Sequence, residues 1–434
     1  MTVANSNTMR PFILGLAPMT IFIFACGVLG ATGTELSATG GPARLVIFGT
    51  VYGWAVIWLV THREHALSYL SGTTLLWLLP AYALLSMAWS QYPQKTVIDA
   101  GHLWGVGLVA WSAVAASRAE TRAISVALIS ATTLVLTISL LTVQVGFGFS
   151  IDPESGRWAG ATGNANTLGM VCTITIASGT YLFLTTKSLL WRLILMGPPI
   201  LALINLRGSG SATSLVVSVL AVAGLCWLLI GRSAGASRVS NRVGVAFVLA
   251  GLAAVVLVAV KPDLLHMQTL MRAVGRSENF TGREELWTFA LNQFRQHPWL
   301  GFGFDSLASV IGKVNMAVGQ LHNGYLDLLV RGGAVGMSLF VLMTLMALTR
   351  SFMTPTHTTD LIWSTVLLAA ILVHNISESS LARSTHTLWL LYMIAAFVAA
   401  RRATLAHDAD VGITNDVPSH VDSASAPALP NLLR

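Results

Sequence analysis

Long runs of apolar residues, separated by short polar loops, make up most of this 434-residue sequence. An α-helix of about 20 apolar residues crosses a hydrocarbon layer of about 30 Å, and it satisfies its own backbone hydrogen bonds there. We therefore predict an all-α integral membrane protein with about twelve transmembrane helices. Their predicted positions are 12–30, 44–61, 73–90, 99–117, 123–145, 166–185, 189–206, 211–231, 243–261, 332–349, 359–376 and 385–400.

One long polar stretch interrupts this pattern and divides the chain. Residues 1–261 are predicted to hold nine transmembrane helices, and residues 332–402 the last three. Between them, residues 262–331 form a large helical insert. Residues 403–434, rich in Ala, Ser, Pro and Asp, are predicted to be a disordered tail.

Lysine and arginine gather in alternate loops, which predicts the orientation of the chain. The loops rich in these residues, and both termini, are assigned to the cytoplasm by the positive-inside rule. The insert then lies outside the membrane, in the periplasm of a Gram-negative cell. The outward-facing short loops carry only Arg44, Lys95, Arg157, Arg207 and Arg383.

Composition excludes several classes of protein. The chain is 54% hydrophobic and only 10% charged, whereas ordinary soluble domains are about a quarter charged. The loops account for the net charge of +7, so the charge does not indicate a nucleic-acid partner. The cysteines Cys26, Cys172 and Cys226 lie inside apolar runs, and their spacing predicts neither disulfides nor zinc. The first apolar run could mimic a signal peptide, but it is long enough to span a membrane.

The insert contains a predicted amphipathic helix that carries an arginine. Thr281 and Glu284 have the spacing of a capping box, so a helix is expected to start at Thr281 or Gly282 and to end at His297-Pro298. An arginine in the first turn, Arg283, adds a guanidinium to a helix N-terminus, a combination suited to phosphate. The alternative is a surface ion pair with Glu284 or Glu285.

A histidine and another arginine are the remaining candidates from the residues alone. His322 precedes an apolar run, with Asn323 as the expected N-cap, and a histidine at a helix start is a candidate general base. Arg207 stands in a Ser/Gly-rich turn where a backbone can approach a ligand closely. The alternatives are a structural histidine and an arginine that merely snorkels to the interface. The 148–166 loop adds Arg157 and amide side chains to the same face.

These residues occur in an order that resembles the O-antigen ligase/polymerase superfamily. The order is Trp89-Ser90-x-x-Pro93, Arg157, Gly160, Asn164-Ala-Asn166, Arg207, Gly282-Arg283-x-x-Leu286-Trp287, Pro298-x-Leu300-Gly301-x-Gly303 and His322-Asn323. His322-Asn323 followed by Gly333-x-x-Gly336 is similar to the signature of the O-antigen ligases, the WaaL family. The resemblance extends over nearly the whole chain in helix number, orientation and insert position.

The resemblance implies a membrane glycosyltransferase of the GT-C kind in the bacterial inner membrane. Such ligases move O-antigen polysaccharide from undecaprenyl pyrophosphate to the terminal sugar of lipid A-core, with inversion and without nucleotide or ATP. No cofactor is implied, and the partners are these two lipids and the surrounding membrane lipids.

The chemistry of this reaction suits the candidate residues. The leaving pyrophosphate gains charge, which either a metal or cationic side chains must stabilise. No carboxylate pair of the DxD type stands in the insert or the loops predicted to face outward, so a metal-independent site is expected. His322 is the expected base, and Arg207 and Arg283 the expected pyrophosphate ligands. Arg157, Asn323, Asn166 and Trp287 are expected to bind substrate.

Three alternatives use the same sequence features. An O-antigen polymerase and a protein O-oligosaccharyltransferase share the lipid-linked donor and differ in acceptor, although the latter generally carries a longer C-terminal portion. A polytopic transporter is the third, but its ionisable residues should lie near the bilayer midplane, whereas most of those here lie on the outer face.

Overall fold

The computed structural model describes residues 6–28, 42–233, 281–305, 307–311, 321–353 and 359–410. These residues are predominantly α-helical, with short 3₁₀ turns at Ser86–Ala88 and Gly160–Thr162. The helices are α1 Ser6–Val28, α2 Pro42–Thr61, α3 Arg63–Leu67, α4 Thr74–Leu85, α5 Pro93–Ala116, α6 Thr121–Val145, α7 Ala165–Thr185, α8 Leu189–Ser209, α9 Ala212–Ser233, α10 Thr281–Gln296, α11 Ala308–Ile311, α12 Gly324–Met353, α13 Thr359–His374 and α14 Thr387–Asp410.

The prediction of an all-helical membrane protein is confirmed. Among the described residues, 7 helices are long and apolar enough to cross a membrane, namely α2, α5, α6, α7, α8, α9 and α12. Four shorter apolar segments lie in α1, α4, α13 and α14. Together they occupy every predicted position except 243–261, which lies outside the described residues. The number twelve therefore stays a prediction.

Local signals in the sequence explain several helix ends. Pro93 occupies the start of α5, where its missing N–H costs nothing and its fixed φ suits the helix. Gly146 and Gly210 end α6 and α8 in the left-handed conformation, with φ of 76° and 56°. Asn164 caps α7 by accepting hydrogen bonds from the N–H groups of Asn166 and Thr167.

Most of the helices pack around one apolar core. Their contacts fall into two groups, one around α7 and one around α13 and α14. Helix α7 packs against α6, α8 and α9, while α13 packs against α9 and α14, and α14 against α5 and α12. Helix α8 leaves large apolar side chains such as Leu189, Leu193 and Leu203 exposed. Exposed apolar residues on a helix of this length are typical of a surface that faces lipid.

Helix α12 begins earlier than predicted and contains a kink. The predicted span starts at residue 332, but the helix starts at Gly324 and is interrupted at Gly333, where φ is 60° and ψ is −163°. The backbone of residues 298–303 packs directly against the helix at this kink. The N–H groups of Ala334 and Val335 donate to the carbonyls of Pro298 and Trp299, at 2.8 and 3.1 Å.

The glycine-rich motif that begins at Pro298 therefore has a packing role here. A Cβ atom at Gly333 would collide with the carbonyl of Trp299, and one at Gly301 with the backbone of Arg331. The hydroxyl of Tyr82 donates to the carbonyls of Leu300 and Gly332, at 3.0 and 2.9 Å. Close approach of two backbones requires glycine at these positions.

The insert helix α10 starts and ends where the sequence predicts, at Thr281 and Gln296. Its apolar face packs on the start of α12 rather than lying free. Leu286 and Ala290 share a small buried cluster with Leu326 and Val330. At the other end of the chain, α14 continues to Asp410, past the residue at which the tail was predicted to begin, and the later residues lie outside the description.

Candidate active site

His322 stands against a glutamate that the sequence analysis did not single out. Its Nδ1 atom lies 3.4 Å from Oε2 of Glu378, and the two side chains are 29% and 9% exposed. His322 has a φ of 49°, in the left-handed region that few residues other than glycine adopt. Such strain in a non-glycine residue persists only where surrounding contacts enforce it, and it clusters at functional sites.

Asn323 caps α12, as the sequence predicted. Its Oδ1 atom accepts hydrogen bonds from the N–H groups of Tyr325 and Leu326, at 3.0 and 3.1 Å. This satisfies two of the N–H groups that a helix start leaves without a partner. The cap fixes the backbone directly after His322, and so it helps to orient the imidazole.

The loop between α13 and α14, residues 375–386, holds this helix start in place. The N–H of Asn323 donates to Oγ of Ser379 at 3.1 Å. The N–H of Gly324 donates to the carbonyls of Asn375 and Glu378, at 2.8 and 3.0 Å. A Cβ atom at Gly324 would collide with the side chain of Asn375. The backbone contacts thus fix how close His322 comes to Glu378.

A buried ion-pair cluster ties the same loop to α12 one turn further along. Arg331 Nε lies 2.7 Å from Asp327 Oδ1, and Arg383 Nη2 lies 3.0 Å from Asp327 Oδ2. The remaining nitrogens of Arg331 donate to the carbonyls of Leu381 and Ala382, both at 2.8 Å. Because removal of one partner from such a pair leaves a buried charge uncompensated, the cluster is a structural support for the site.

His386 ends the loop and caps α14. Its Nδ1 atom accepts a hydrogen bond from the N–H of Leu388 at 3.2 Å. Desolvation of the ring, and then the nearby positive charge of Arg383, lower the pKa of His386 to about 3. The ring is therefore neutral at ordinary pH, and Nδ1 keeps its role as an acceptor.

Glu378 also connects His322 to two residues on the other side of the site. Its Oε1 atom accepts a hydrogen bond from Nδ2 of Asn166 at 2.8 Å. Oδ1 of Asn166 accepts a hydrogen bond from Nη2 of Arg157 at 2.7 Å, and Arg157 Nε donates to the carbonyl of Ser209 at 2.7 Å. Three of the residues predicted to act together, His322, Asn166 and Arg157, thus lie in one network through Glu378.

Arg207 lies beside the far end of this network. It occupies the last turn of α8, two residues before Ser209, and its side chain is exposed. The Arg157 segment holds that turn, because the N–H of Trp158 donates to the carbonyl of Gly208 at 2.9 Å. The Trp158 ring also fills the space that a Cβ at Gly208 would need. An exposed guanidinium is a group that can bind an anion.

Arg283 and Trp287 belong to α10. The backbone of Arg283 lies in the first turn of that helix, and its side chain lies outside the described residues. Trp287 follows one turn later, and its indole Nε1 donates to the carbonyl of Leu321 at 3.1 Å, directly before His322. Helix α10 is therefore anchored next to the histidine.

Sequence reasoning found every member of the network except Glu378. The signal was a polar run, Ser377 to Ser380, between two apolar segments. A charged residue that is buried next to a membrane span is costly unless it has partners, which makes such a residue a candidate for function. Within the described ranges, no group of three or more His, Cys, Asp or Glu side chains has the arrangement of a metal site.

Comparison with known proteins gives a family match for part of the chain. Residues 199–341, which include Arg207, Arg283, His322 and Asn323, match the model of a family described as O-Antigen ligase. The chain is thus similar to the O-antigen ligase family over about a third of its length. Glu378, Asn166 and Arg157 lie outside the matched region.

Two curated proteins are similar to this chain. The chain is 31% identical over 154 residues to an O-antigen ligase of Pseudomonas aeruginosa, a match that covers 35% of this chain and 34% of the relative. It is 26% identical over 382 residues to the exopolysaccharide production protein ExoQ of Rhizobium meliloti, a match that covers 81% of this chain and 79% of the relative. The chain thus matches about a third of the length of the ligase and most of ExoQ.

Proposed function

We propose that this protein is an O-antigen ligase. It transfers O-antigen polysaccharide from undecaprenyl pyrophosphate to the terminal sugar of lipid A-core, and so completes lipopolysaccharide. The observation that carries the proposal is the pairing of His322 with Glu378, 3.4 Å apart, at the edge of a domain of the O-antigen ligase family. The exposed Arg207 supplies a positive charge on the same side of the network.

His322 is the general base of the proposed reaction. A base oriented by a third group is a recurring arrangement in enzymes that activate hydroxyl groups. Because Nδ1 faces the carboxylate of Glu378, Nε2 takes the proton of the acceptor hydroxyl. The Glu378 carboxylate stabilises the imidazolium that results. The distance of 3.4 Å is long for a hydrogen bond, and such contacts often tighten when substrate binds.

One bond forms and one bond breaks at the anomeric carbon of the donor. The acceptor oxygen forms a bond to the anomeric carbon. At the same time the bond between the anomeric carbon and the phosphate oxygen breaks, and the configuration at the carbon is inverted. Undecaprenyl pyrophosphate leaves with the electron pair, and its negative charge grows in the transition state. Arg207 and Arg283 bind that pyrophosphate, because a guanidinium makes two parallel hydrogen bonds to phosphoryl oxygens.

The other predicted site residues have supporting roles in this proposal. Asn166 and Arg157 hold Glu378 and shape the side of the site that receives the donor. The hydrogen bond from Nε1 of Trp287 to the carbonyl of Leu321 fixes the orientation of the indole ring. The face of that ring can then stack against a sugar. Asn323 fixes the histidine through its cap and lies next to the acceptor.

The site belongs on the periplasmic side of the inner membrane in this proposal, within a GT-C architecture. The supporting observation is the scarcity of Lys and Arg in the loops that share a face with His322. The insert 262–331 then covers the site, residues 1–261 and 332–402 form the membrane domain, and 403–434 is cytoplasmic. Reporter fusions after Ser277 should score as periplasmic and fusions after Arg238 as cytoplasmic; both on one side would exclude this topology.

A polymerase-like role is the second candidate function, and the match to ExoQ favours it. That match covers 81% of the chain, more than twice the share covered by the ligase, and the relative is named for exopolysaccharide production. A polymerase would use the same lipid-linked donor and differ only in the acceptor. A protein acceptor and a transport function have no comparable support.

The banding pattern of lipopolysaccharide from cells that lack the protein distinguishes a ligase from a polymerase. A ligase predicts that the O-antigen ladder disappears while lipid-linked polymer accumulates. A polymerase predicts lipid A-core that carries a single repeat unit. Complementation with the wild-type protein and with His322→Ala is the matched control, since only the former should restore the ladder.

A further inference from the structure

Two phenylalanines are exposed side by side in the loop between α6 and α7. Phe147 and Phe149 are 54% and 43% exposed, and their ring centroids lie 5.8 Å apart with an angle of 21° between the ring planes. Val145, the last residue of α6, is 73% exposed directly before them. A contiguous group of exposed apolar side chains indicates a surface that contacts another protein, a ligand or a membrane.

The exposed rings continue a stripe of exposed residues that runs along α6. The stripe consists of residues spaced by three or four positions, namely Val126, Ser130, Leu134, Thr137, Leu141 and Val145. Residues at this spacing lie on one face of a helix. Helix α6 is also long and apolar enough to cross a membrane, and the sequence has no charged residue from Ala123 to Val145. This face is therefore suited to contact with lipid.

The polar residues on the same face need no water. The hydroxyls of Ser130 and Thr137 donate to the carbonyls of Val126 and Thr133, one turn earlier in the same helix, at 2.8 and 2.9 Å. A hydroxyl that is satisfied within its own helix is tolerated in hydrocarbon, whereas an unsatisfied one is costly. The exposed face of α6 can thus contact lipid along its whole length.

The rings lie at the level where the hydrocarbon layer ends. At 1.5 Å per residue, the uncharged stretch from Ala123 to Val145 is about 33 Å long, which matches a hydrocarbon layer of about 30 Å. Phe147 and Phe149 follow directly after the end of this stretch at Gly146. Apolar and aromatic side chains of interfacial segments are buried at the boundary between acyl chains and head groups.

A series of hydrogen bonds connects the exposed rings to the candidate site. The N–H of Ser150 donates to the carbonyl of Phe147, and the carbonyl of Ser150 accepts from the N–H of Ala159, both at 2.8 Å. The N–H of Asp152 donates to the carbonyl of Arg157, also at 2.8 Å. These bonds join the loop into one unit. The position of the rings therefore fixes that of Arg157, a member of the network around the candidate base.

We propose that Phe147 and Phe149 anchor this loop in the membrane, on the side where His322 lies. The rings insert at the boundary between the acyl chains and the head groups, and the partner is the lipid surface itself. The anchor sets the height of Arg157 above the hydrocarbon layer. A site held at this height receives the head group of a substrate that is itself anchored in the membrane.

The surroundings of the rings favour lipid over a sugar or a second copy of the chain. The residues beside them in the chain are Val145, Gly146 and Gly148, none of which offers a polar side chain to a sugar hydroxyl. The apolar surface also continues without a break into the exposed face of α6, as a surface immersed in lipid does. A contact with a second copy gives no reason for this continuity.

Photocrosslinking identifies what covers the rings. p-Benzoylphenylalanine replaces Phe149 in the full-length protein, which is purified, reconstituted in nanodiscs of phosphatidylethanolamine and phosphatidylglycerol, and irradiated. Mass spectrometry should show an adduct of the protein with one phospholipid. The same probe in place of Leu141, on the exposed face of α6, should give the same adduct. In place of Glu154, an exposed residue at the far turn of the same loop, it should give none.

Other products would overturn the proposal. A cross-link from position 149 to another segment of the protein would show that the chain itself covers the rings, and a cross-linked dimer would show a second copy. An adduct that forms only after addition of a lipid-linked saccharide, and that contains the sugar, would show a sugar site. Position 149 without any adduct, alongside a phospholipid adduct at position 141, would show that the rings lie in water.

A smaller probe covers the case in which the benzophenone disturbs the loop. Trifluoromethylphenylalanine replaces Phe149, and its fluorine resonance is recorded with a nitroxide-labelled phosphatidylcholine or with a water-soluble nickel chelate. The lipid nitroxide should broaden the signal and the chelate should leave it sharp, with the reverse result for the same probe in place of Glu154. Broadening of the signal at position 149 by the chelate alone would overturn the proposal. Neither measurement uses glycosyl transfer, so both outcomes are independent of the proposed function.

Discussion

His322 and Glu378 face each other across 56 residues of sequence, with Nδ1 3.4 Å from Oε2. The contact is made between the start of α12 and the loop that follows α13. Three hydrogen bonds fix its geometry: the N–H of Asn323 donates to Oγ of Ser379, and the N–H of Gly324 donates to the carbonyls of Asn375 and Glu378. The pair thus occupies a rigid part of the molecule rather than a flexible loop, as positioning of a catalytic group requires.

Glu378→Gln tests whether the carboxylate positions and polarises His322. The amide keeps the shape of the side chain and an oxygen for Asn166, but it removes the charge. We expect kcat to fall by about 10–10²-fold with little change in KM for the donor, since the loss concerns the transition state.

Glu154→Gln is the control for this change, because Glu154 is an exposed carboxylate on the outer 148–166 loop. It should leave kcat and KM unchanged. A purely structural role of Glu378 would lower the amount of folded protein and leave kcat of the folded remainder unchanged. That outcome would remove Glu378 from the mechanism.

Substitutions of Arg207 and Arg283 test the binding of pyrophosphate. Each change to alanine should abolish transfer or nearly so, while protein levels in the membrane stay normal. Lysine should restore little activity, because a point charge does not reproduce the two-pronged contact of a guanidinium. Arg295→Ala, on the exposed last turn of α10, is the control and should be active. Full activity of Arg283→Lys would indicate a surface ion pair instead.

Chelation tests the prediction that arginines, and no metal, carry the leaving-group charge. Purified protein should transfer polysaccharide at an unchanged rate in excess EDTA, because Mg²⁺ and Mn²⁺ are held by clusters of oxygen ligands that EDTA outcompetes. Loss of activity that Mg²⁺ or Mn²⁺ restores would contradict the prediction. It would direct attention to Glu278, Glu284 and Glu285 as ligands.

Local sequence patterns predicted the structural features that are determined by residues close in sequence, such as helix starts and caps. The start of α10 at Thr281 and the cap at Asn323 each follow from a few residues and the free N–H groups of a helix start. The apolar runs likewise predicted the helices, because the membrane requires backbone hydrogen bonds to be made within each segment.

Contacts between distant segments could not be predicted in this way. Glu378 contacts His322 and Asn166, which are 56 and 212 residues away, and no local pattern encodes either contact. The kink at Gly333 was likewise hidden, because it depends on hydrogen bonds with Pro298 and Trp299, more than 30 residues away. The resemblance to a family placed the glycine-rich motif near the site, whereas its role in opening the kink follows only from backbone contacts.

The most direct test of the account is the rate of His322→Gln in a purified system with lipid-linked O-antigen and lipid A-core. Glutamine keeps hydrogen-bonding capacity but cannot accept the proton. Wild-type protein should ligate the two substrates, and His322→Gln should be slower by about 10²–10⁴-fold, the contribution of a positioned general base. Donor binding by the variant should be unchanged. A stable His322→Gln protein that ligates at nearly the wild-type rate would contradict the account.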